Sequence, residues 1–281
     1  MAPPVYADVG KPARDLFSKG YHFGMLKLEC KTKTPSGVEF TADMTNNSDT
    51  NKVAGNCEVK FKVPEYGLSV TDKWNTDNQI HTEAAIEDQV IKGLKLTGTT
   101  LFSPFSGKWS VVGKMQYKQP NATLTLDADV LNGPALHGGL VLGYSGLLAG
   151  YQASYDAAKA KLTKSNVLGG YETKDYYLHM NVDNGQDIGG SIYTKVSPKL
   201  EAGVQFGFTM GPNSTRLAIG CKYALDDITT LRAKVNNNCQ LGLSYQQKLR
   251  PGVTVTGSTL LDMVNLNQGG HKVGVCLEME A

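Results

Sequence analysis

From Met25 onward, apolar and polar residues alternate with a period of two, in runs of eight to ten residues that each end in Gly, Asn, Asp, Ser or Pro. Successive side chains of a β-strand point to opposite faces, so each run reads as a strand with one greasy and one polar face. In the first run Leu26, Leu28 and Cys30 alternate with Lys27, Glu29 and Lys31, and in the third Val53, Gly55, Cys57, Val59 and Phe61 alternate with Asn56, Glu58, Lys60 and Lys62. Further along, Leu124, Leu126, Ala128 and Val130 oppose Thr123, Thr125, Asp127 and Asp129. Marking every run between turn clusters places strands near 25–34, 38–45, 53–62, 66–74, 79–86, 93–102, 109–118, 122–130, 136–144, 147–156, 165–172, 176–182, 188–195, 200–208, 216–223, 229–235, 240–247, 253–261 and 272–279, nineteen in all.

Nineteen consecutive strands cannot share one packed interior, because a closed sheet of that size is too wide for side chains to fill. The polar phase therefore lines water and the apolar phase meets lipid. Lipid also requires closure, since an open sheet edge there would leave backbone groups unsatisfied. With an odd number of strands, all neighbours are antiparallel except the first and last, which pair in parallel. The fold class is thus all-β, a transmembrane barrel. Hydrophobic residues at 41% of the 281 and a mean hydropathy of -0.26 do not oppose this, because a barrel strand shows lipid only every second side chain. No stretch approaches the roughly 18 apolar residues of a spanning helix.

A net charge of +2 provides no strong field and speaks against a nucleic-acid partner. The cysteines Cys30, Cys57, Cys221, Cys239 and Cys276 match neither a CxxC pair nor a zinc ribbon and read as reduced thiols; no metal site is expected. The histidines, His22, His81, His137, His179 and His271, lie singly, and nearby sequence builds no Ser/His/Asp set, so no catalytic residues are assigned. Neither GxGxxG after a strand nor GxxxxGK[ST] occurs, which argues against a tight dinucleotide or phosphate-loop site, and no required cofactor is expected. The first twenty residues lack a secretory apolar core and carry Asp8 and Asp15, so intracellular synthesis without N-terminal cleavage is expected.

Residues 1–24 form a separate unit ahead of the barrel at 25–281. From Tyr6 to Lys19, Val9, Ala13, Leu16 and Phe17 recur at helical spacing with Lys11, Arg14, Asp15 and Lys19 around the axis, which predicts a short amphipathic helix. Pro12 suits a helix start, and Gly20 and Gly24 supply a flexible link. The helix is too short to span, and lies in the lumen against the wall or on the membrane surface.

Five separated motifs carry a family resemblance over the whole chain: APPVYADVGKPARDLFSKGY at the start, KWNTDN at Lys73 to Asn78, GLK at Gly93 to Lys95, AKVNN at Ala233 to Asn237 and GGHK at Gly269 to Lys272. In these the chain resembles the voltage-dependent anion channels of animal mitochondrial outer membranes. The resemblance implies a nineteen-strand barrel with the helix in its lumen, and a voltage-gated, weakly anion-selective diffusion pore for ATP, ADP, phosphate, respiratory substrates and small ions. It also implies hexokinase, Bcl-2-class proteins, membrane lipid and further copies of the chain as partners. No covalent chemistry is expected. A protein-import barrel of the same superfamily would share the architecture but not these motifs, and a soluble set of small β-sandwiches is the rival from another class.

By resemblance, Lys11 and Lys19 match helix lysines associated with ATP, and Gln240, Leu241, Gly242, Ser258, Thr259, Leu260, Leu261 and Asp262 match a patch associated with NAD, both as weak transit contacts. Asp72 shares the apolar phase with Leu68, Val70 and Trp74, which puts a carboxylate toward lipid. It matches a lipid-facing glutamate tied to gating and hexokinase binding; the alternative is a partly solvated residue near an interface with no special role. Lys11, Arg14 and Lys19 join it as gating candidates. Lys95, Lys114, Lys118, Arg216, Arg232 and Lys234 fall in the polar phase and are expected to line the pore and bias it toward anions. Screening over about 8 to 10 Å in a wide wet pore keeps that bias small.

Overall fold

The computed structural model describes residues 2–281 apart from 132–134, 212, 213 and 268. Nineteen strands follow one another: β1 Met25–Lys33, β2 Glu39–Asn47, β3 Lys52–Val63, β4 Leu68–Asn75, β5 Ile80–Glu87, β6 Leu94–Ser103, β7 Lys108–Lys118, β8 Ala122–Asp129, β9 Ala135–Tyr144 and β10 Leu147–Asp156. The second half comprises β11 Lys161–Glu172, β12 Tyr176–Asp183, β13 Asp187–Lys195, β14 Leu200–Thr209, β15 Ser214–Ala224, β16 Thr229–Asn236, β17 Gln240–Arg250, β18 Val253–Asp262 and β19 Lys272–Glu280. Each pairs antiparallel with the next, and β1 closes the ring by pairing in parallel with β19 from Leu26↔Val275 to Lys31↔Glu280. The expected count and the parallel seam are both present.

Strand limits agree with the alternation to within two residues, Tyr66 falling in a 3-10 turn ahead of β4, except at two places where a bulge reverses its phase. On β11 the register with β10 steps past Thr163, so Leu162 rejoins the apolar face out of step and the strand begins at Lys161 rather than 165. On β17 the step past Leu249 carries the strand to Arg250 rather than 247. An extra residue on one strand flips every later side chain, which hides the continuation from a period-two reading.

The wall has no packed core of its own. Large apolar residues of the outer phase stand exposed, Leu26 at 56% and Val53 at 57% among them. A continuous apolar exterior of this extent is a lipid-contacting surface. Among the described residues no helix is long and apolar enough to cross a membrane.

Most of the buried apolar side chains, Ala85 and Cys276 apart, gather around the N-terminal segment, which lies inside the barrel. It contains two pieces rather than one helix over 6–19: a 3-10 turn at Tyr6–Asp8 and helix α1 at Lys11–Ser18. Gly10 separates them with φ 73°, a left-handed conformation that a side chain would disfavour, and Pro12 sits in the first turn of α1.

Candidate functional site

The lumen is lined by the polar phase, and the N-terminal segment occupies one side of it. Ala13, Leu16 and Phe17 pack on Tyr193, with Tyr177 and Ala218 beside them. Val9 packs on Val141 and Leu168, flanked by Tyr6 and Leu148. The close approach depends on small residues in the wall: a β-carbon on Gly203 would lie 2.8 Å from Leu16, and one on Gly220 would lie 2.8 Å from Phe17. At the start of the segment the Thr123 hydroxyl donates to the Pro3 carbonyl at 2.6 Å.

Beyond α1 the chain crosses the wall strand by strand toward β1, held by two polar anchors on β16 and one each on β17 and β18. On β16 the Lys234 ammonium donates to the Phe17 carbonyl at 2.6 Å and Arg232 donates to the Lys19 carbonyl at 2.7 Å. On β17 the Ser244 hydroxyl donates to the Gly20 carbonyl at 2.6 Å, and on β18 the Ser258 hydroxyl accepts from the His22 amide at 2.9 Å. The Lys234 anchor satisfies a carbonyl of the last turn of α1, which the end of a helix leaves without an intrahelical partner, and the others hold the linker beyond it. Alternation alone places Ser244 and Ser258 in the lumen but cannot show that they hold the linker.

The lumen charges divide into paired and free sets. Glu29 is clamped by Lys27 at 2.6 Å and Lys31 at 2.5 Å, Lys73 meets Glu58 at 3.0 Å, and Lys222 meets Glu201 at 3.0 Å. Within the segment Lys11 pairs with Asp8 at 3.3 Å and Lys19 with Asp15 at 2.8 Å, and Arg14 donates to the Ala7 carbonyl. Among the described residues, Lys60, Lys62, Lys95, Lys114, Lys118 and Arg216 have no carboxylate within ion-pair distance. Five of these six stand on β3, β6 and β7, across the ring from β13, β14 and β15, where α1 lies. The half of the lumen left open by the segment therefore faces these five lysines, interspersed with the lumen-phase acids Asp43, Glu83 and Asp127 of β2, β5 and β8.

The remaining candidates are distributed by register. Gln240 pairs with Asp262 and Gly242 with Leu260 on the lumen side, together with Ser258, whereas Leu241 pairs with Leu261 and Leu243 with Thr259 on the outer side. Only alternate members of that patch thus face the water. Two of them are covered by the linker: Ser258 holds the His22 amide, and the Phe23 ring lies 2.7 Å from where a β-carbon on Gly242 would be. Asp262 instead caps the following turn, accepting from the Val264 amide at 3.0 Å. Lys11, Asp15, Lys19, Lys222 and Arg232 share a recess of about 550 Å³ between α1 and the wall. Lys95 and Lys118 share another of about 400 Å³ at the barrel rim. Asp72 is exposed on the outer side, in register with Val59 and Thr82.

The sheet also juxtaposes residues that are far apart in sequence. Asp127 and His137 are register partners, and His137 Nδ1 lies 2.7 Å from the Ser154 hydroxyl. Ser154 is only 2% exposed, and the surrounding backbone amides belong to ladder hydrogen bonds, so they cannot turn toward a developing oxyanion. This trio ties three strands together.

A model of the eukaryotic porins matches residues 2–274. Over 280 residues the chain is 55% identical to the "Non-selective voltage-gated ion channel VDAC2" of Xenopus laevis, covering 99% of both chains. It is 52% identical over 280 residues to the human protein of that name, covering 99% of this chain and 95% of that one. The "Voltage-dependent anion-selective channel" of Drosophila melanogaster is 51% identical over 282 residues, with both chains fully covered.

Proposed function

Because the chain belongs to the eukaryotic porin family, we propose that its work is the exchange of metabolites, namely ATP, ADP, phosphate and respiratory substrates, across the mitochondrial outer membrane. The protein is a voltage-gated, anion-selective pore of an outer-membrane β-barrel type, and not an enzyme. What supports the choice of phosphorylated permeants is the open half of the lumen, which presents Lys60, Lys62, Lys95, Lys114 and Lys118 with no carboxylate in ion-pair distance among the described residues. Anions are enriched near such a wall, while a wide wet path lets them leave again. ATP and NAD touch the wall weakly in this reading, at Lys11, Lys19 and the lumen-facing members of the Gln240 to Asp262 patch.

The N-terminal segment is the gate in this reading. It is the one described element that occupies the lumen without being part of the wall, and it carries Asp8, Lys11, Arg14, Asp15 and Lys19 on which a transmembrane field acts. Asp72 on the outer face, together with hexokinase, Bcl-2-class proteins and further copies of the chain as partners, is proposed on the family resemblance alone.

Planar-bilayer recording tests the pore reading. The reversal potential in a KCl gradient should lie on the anion side and ATP should carry measurable current. A cation-side potential with no ATP current would overturn it.

A further inference from the structure

We infer that Lys234 is the positioning residue that latches the N-terminal segment to the wall, and that its ammonium group sets how readily the segment leaves. The inference rests on the reading of the segment as gate only for its effect on voltage. Lys234 Nζ donates to the Phe17 carbonyl at 2.6 Å and lies 4.1 Å from the Tyr21 ring centre and 5.1 Å from that of Phe23. One cation therefore holds the helix and the linker at once.

Three features make this contact a latch rather than one more lumen lysine. The carbonyl it holds is in the last turn of α1, where the helix dipole leaves partial negative charge and favours a cation. The two rings stand 5.4 Å apart at 45° to each other, so both faces present their negative quadrupole to the same ammonium. Burial pushes the Tyr21 phenol up to about 12, which keeps it neutral, so the attraction is that of a ring face and not of a phenolate. Lys234 is half-buried and, among the described residues, has no carboxylate within ion-pair distance, so the partners of its charge come from the segment itself. Arg232, next along the same face, divides its guanidinium between Lys19 and Gln246, a wall residue at 3.3 Å, and so serves the wall as well as the segment.

The experiment compares full-length protein with Lys234→Met and Lys234→Arg in phosphatidylcholine vesicles, reading backbone amide exchange over residues 11–24. Methionine keeps the stem and removes the charge. Lys234→Met should exchange at least tenfold faster over 11–24 with the strands unchanged, and Lys234→Arg should return most of the protection. Tyr21→Leu with Phe23→Leu, which leaves the lysine intact, should accelerate the same amides and answers the case in which Lys234→Met does not assemble. Unchanged exchange over 11–24 in both variants would overturn the latch. In bilayers the half-closure voltage should fall in Lys234→Met and recover in Lys234→Arg. Faster exchange with an unmoved voltage would sustain the latch and refute the segment as gate.

Discussion

The carbonyl oxygen of His22 lies 1.6 Å from the position a β-carbon on Gly274 would take, so the linker crosses β19 where only glycine leaves it room. Met25 begins β1 three residues later, and β1 then pairs with the same strand to close the barrel. The chain thus threads from the lumen into the wall through a gap made by one missing side chain.

Gly274→Val should consequently prevent linker and seam from being satisfied together. The clash is with backbone and cannot be relieved by a rotamer change, so a loss of several kcal/mol is expected, at the upper end of overpacking effects. Thermal unfolding in detergent, followed by the mobility of the folded barrel on a gel, measures it; an unchanged midpoint would show that the linker runs elsewhere.

Phe17→Ala removes the ring that fills the space over Gly220 and touches the Ala13, Leu16 and Tyr193 cluster. Truncating a buried phenylalanine costs about 3–5 kcal/mol in a core, and somewhat less here because one side of the cluster faces the lumen. The loss falls on docking of the segment and not on the barrel. Amide exchange should therefore rise over residues 11–18 while the strands keep their protection.

Much of this architecture is legible in the sequence, and the exceptions have identifiable causes. Alternation locates the strands because lipid on one side and water on the other enforce it along the whole wall. It fails at Thr163 and Leu249, where bulges reverse the phase. The helical spacing from Val9 to Phe17 is a true signal of an apolar face, but the break at Gly10 depends on a backbone angle. Placement of Lys95, Lys114 and Lys118 in the lumen follows from parity alone. That Arg232 and Lys234 are spent on holding the segment does not, since it depends on where a chain more than two hundred residues away is laid down. The nucleotide patch shows the same limit, because a contiguous stretch of strand necessarily divides between the two faces.

Free lumen lysines should control ion preference. Lys95→Glu combined with Lys118→Glu replaces two unpaired cations by anions at one rim and should move the reversal potential toward the cation side. Screening shortens to about 3 Å in 1 M salt, so the shift should be largest in dilute KCl and shrink as salt is raised. A shift independent of salt would point to a change of shape instead.

Asp72 places an ionisable group on the lipid side. Asp72→Leu should stabilise the barrel in a bilayer by about 1–3 kcal/mol, as expected for an acidic residue removed from the apolar band. Urea unfolding from vesicles reads the difference, and a loss of stability would place Asp72 in solvated surroundings.

His22 gives the docked linker a pH dependence. Burial, followed by the nearby Lys27 ammonium, holds its imidazole below the usual value of 6.5. Docking therefore disfavours the protonated ring, and the released linker binds more protons between the lowered value and 6.5. Docking is complete above that window and weakens as pH falls through it. The protection of the amides over residues 20–24, that is, their exchange relative to the intrinsic rate at each pH, should fall on acidification through that window, and His22→Gln should remove the dependence.

The assignment of the two wall faces is tested most directly along β6 by single cysteines at Lys95, Leu96, Thr97, Gly98 and Thr99 in a cysteine-free background. A charged, membrane-impermeant thiol reagent should modify 95, 97 and 99 from the water, while an apolar reagent dissolved in the bilayer should modify 96 and 98. Equal labelling of neighbouring positions, or the reverse alternation, would contradict a barrel with lysines toward water and leucines toward lipid.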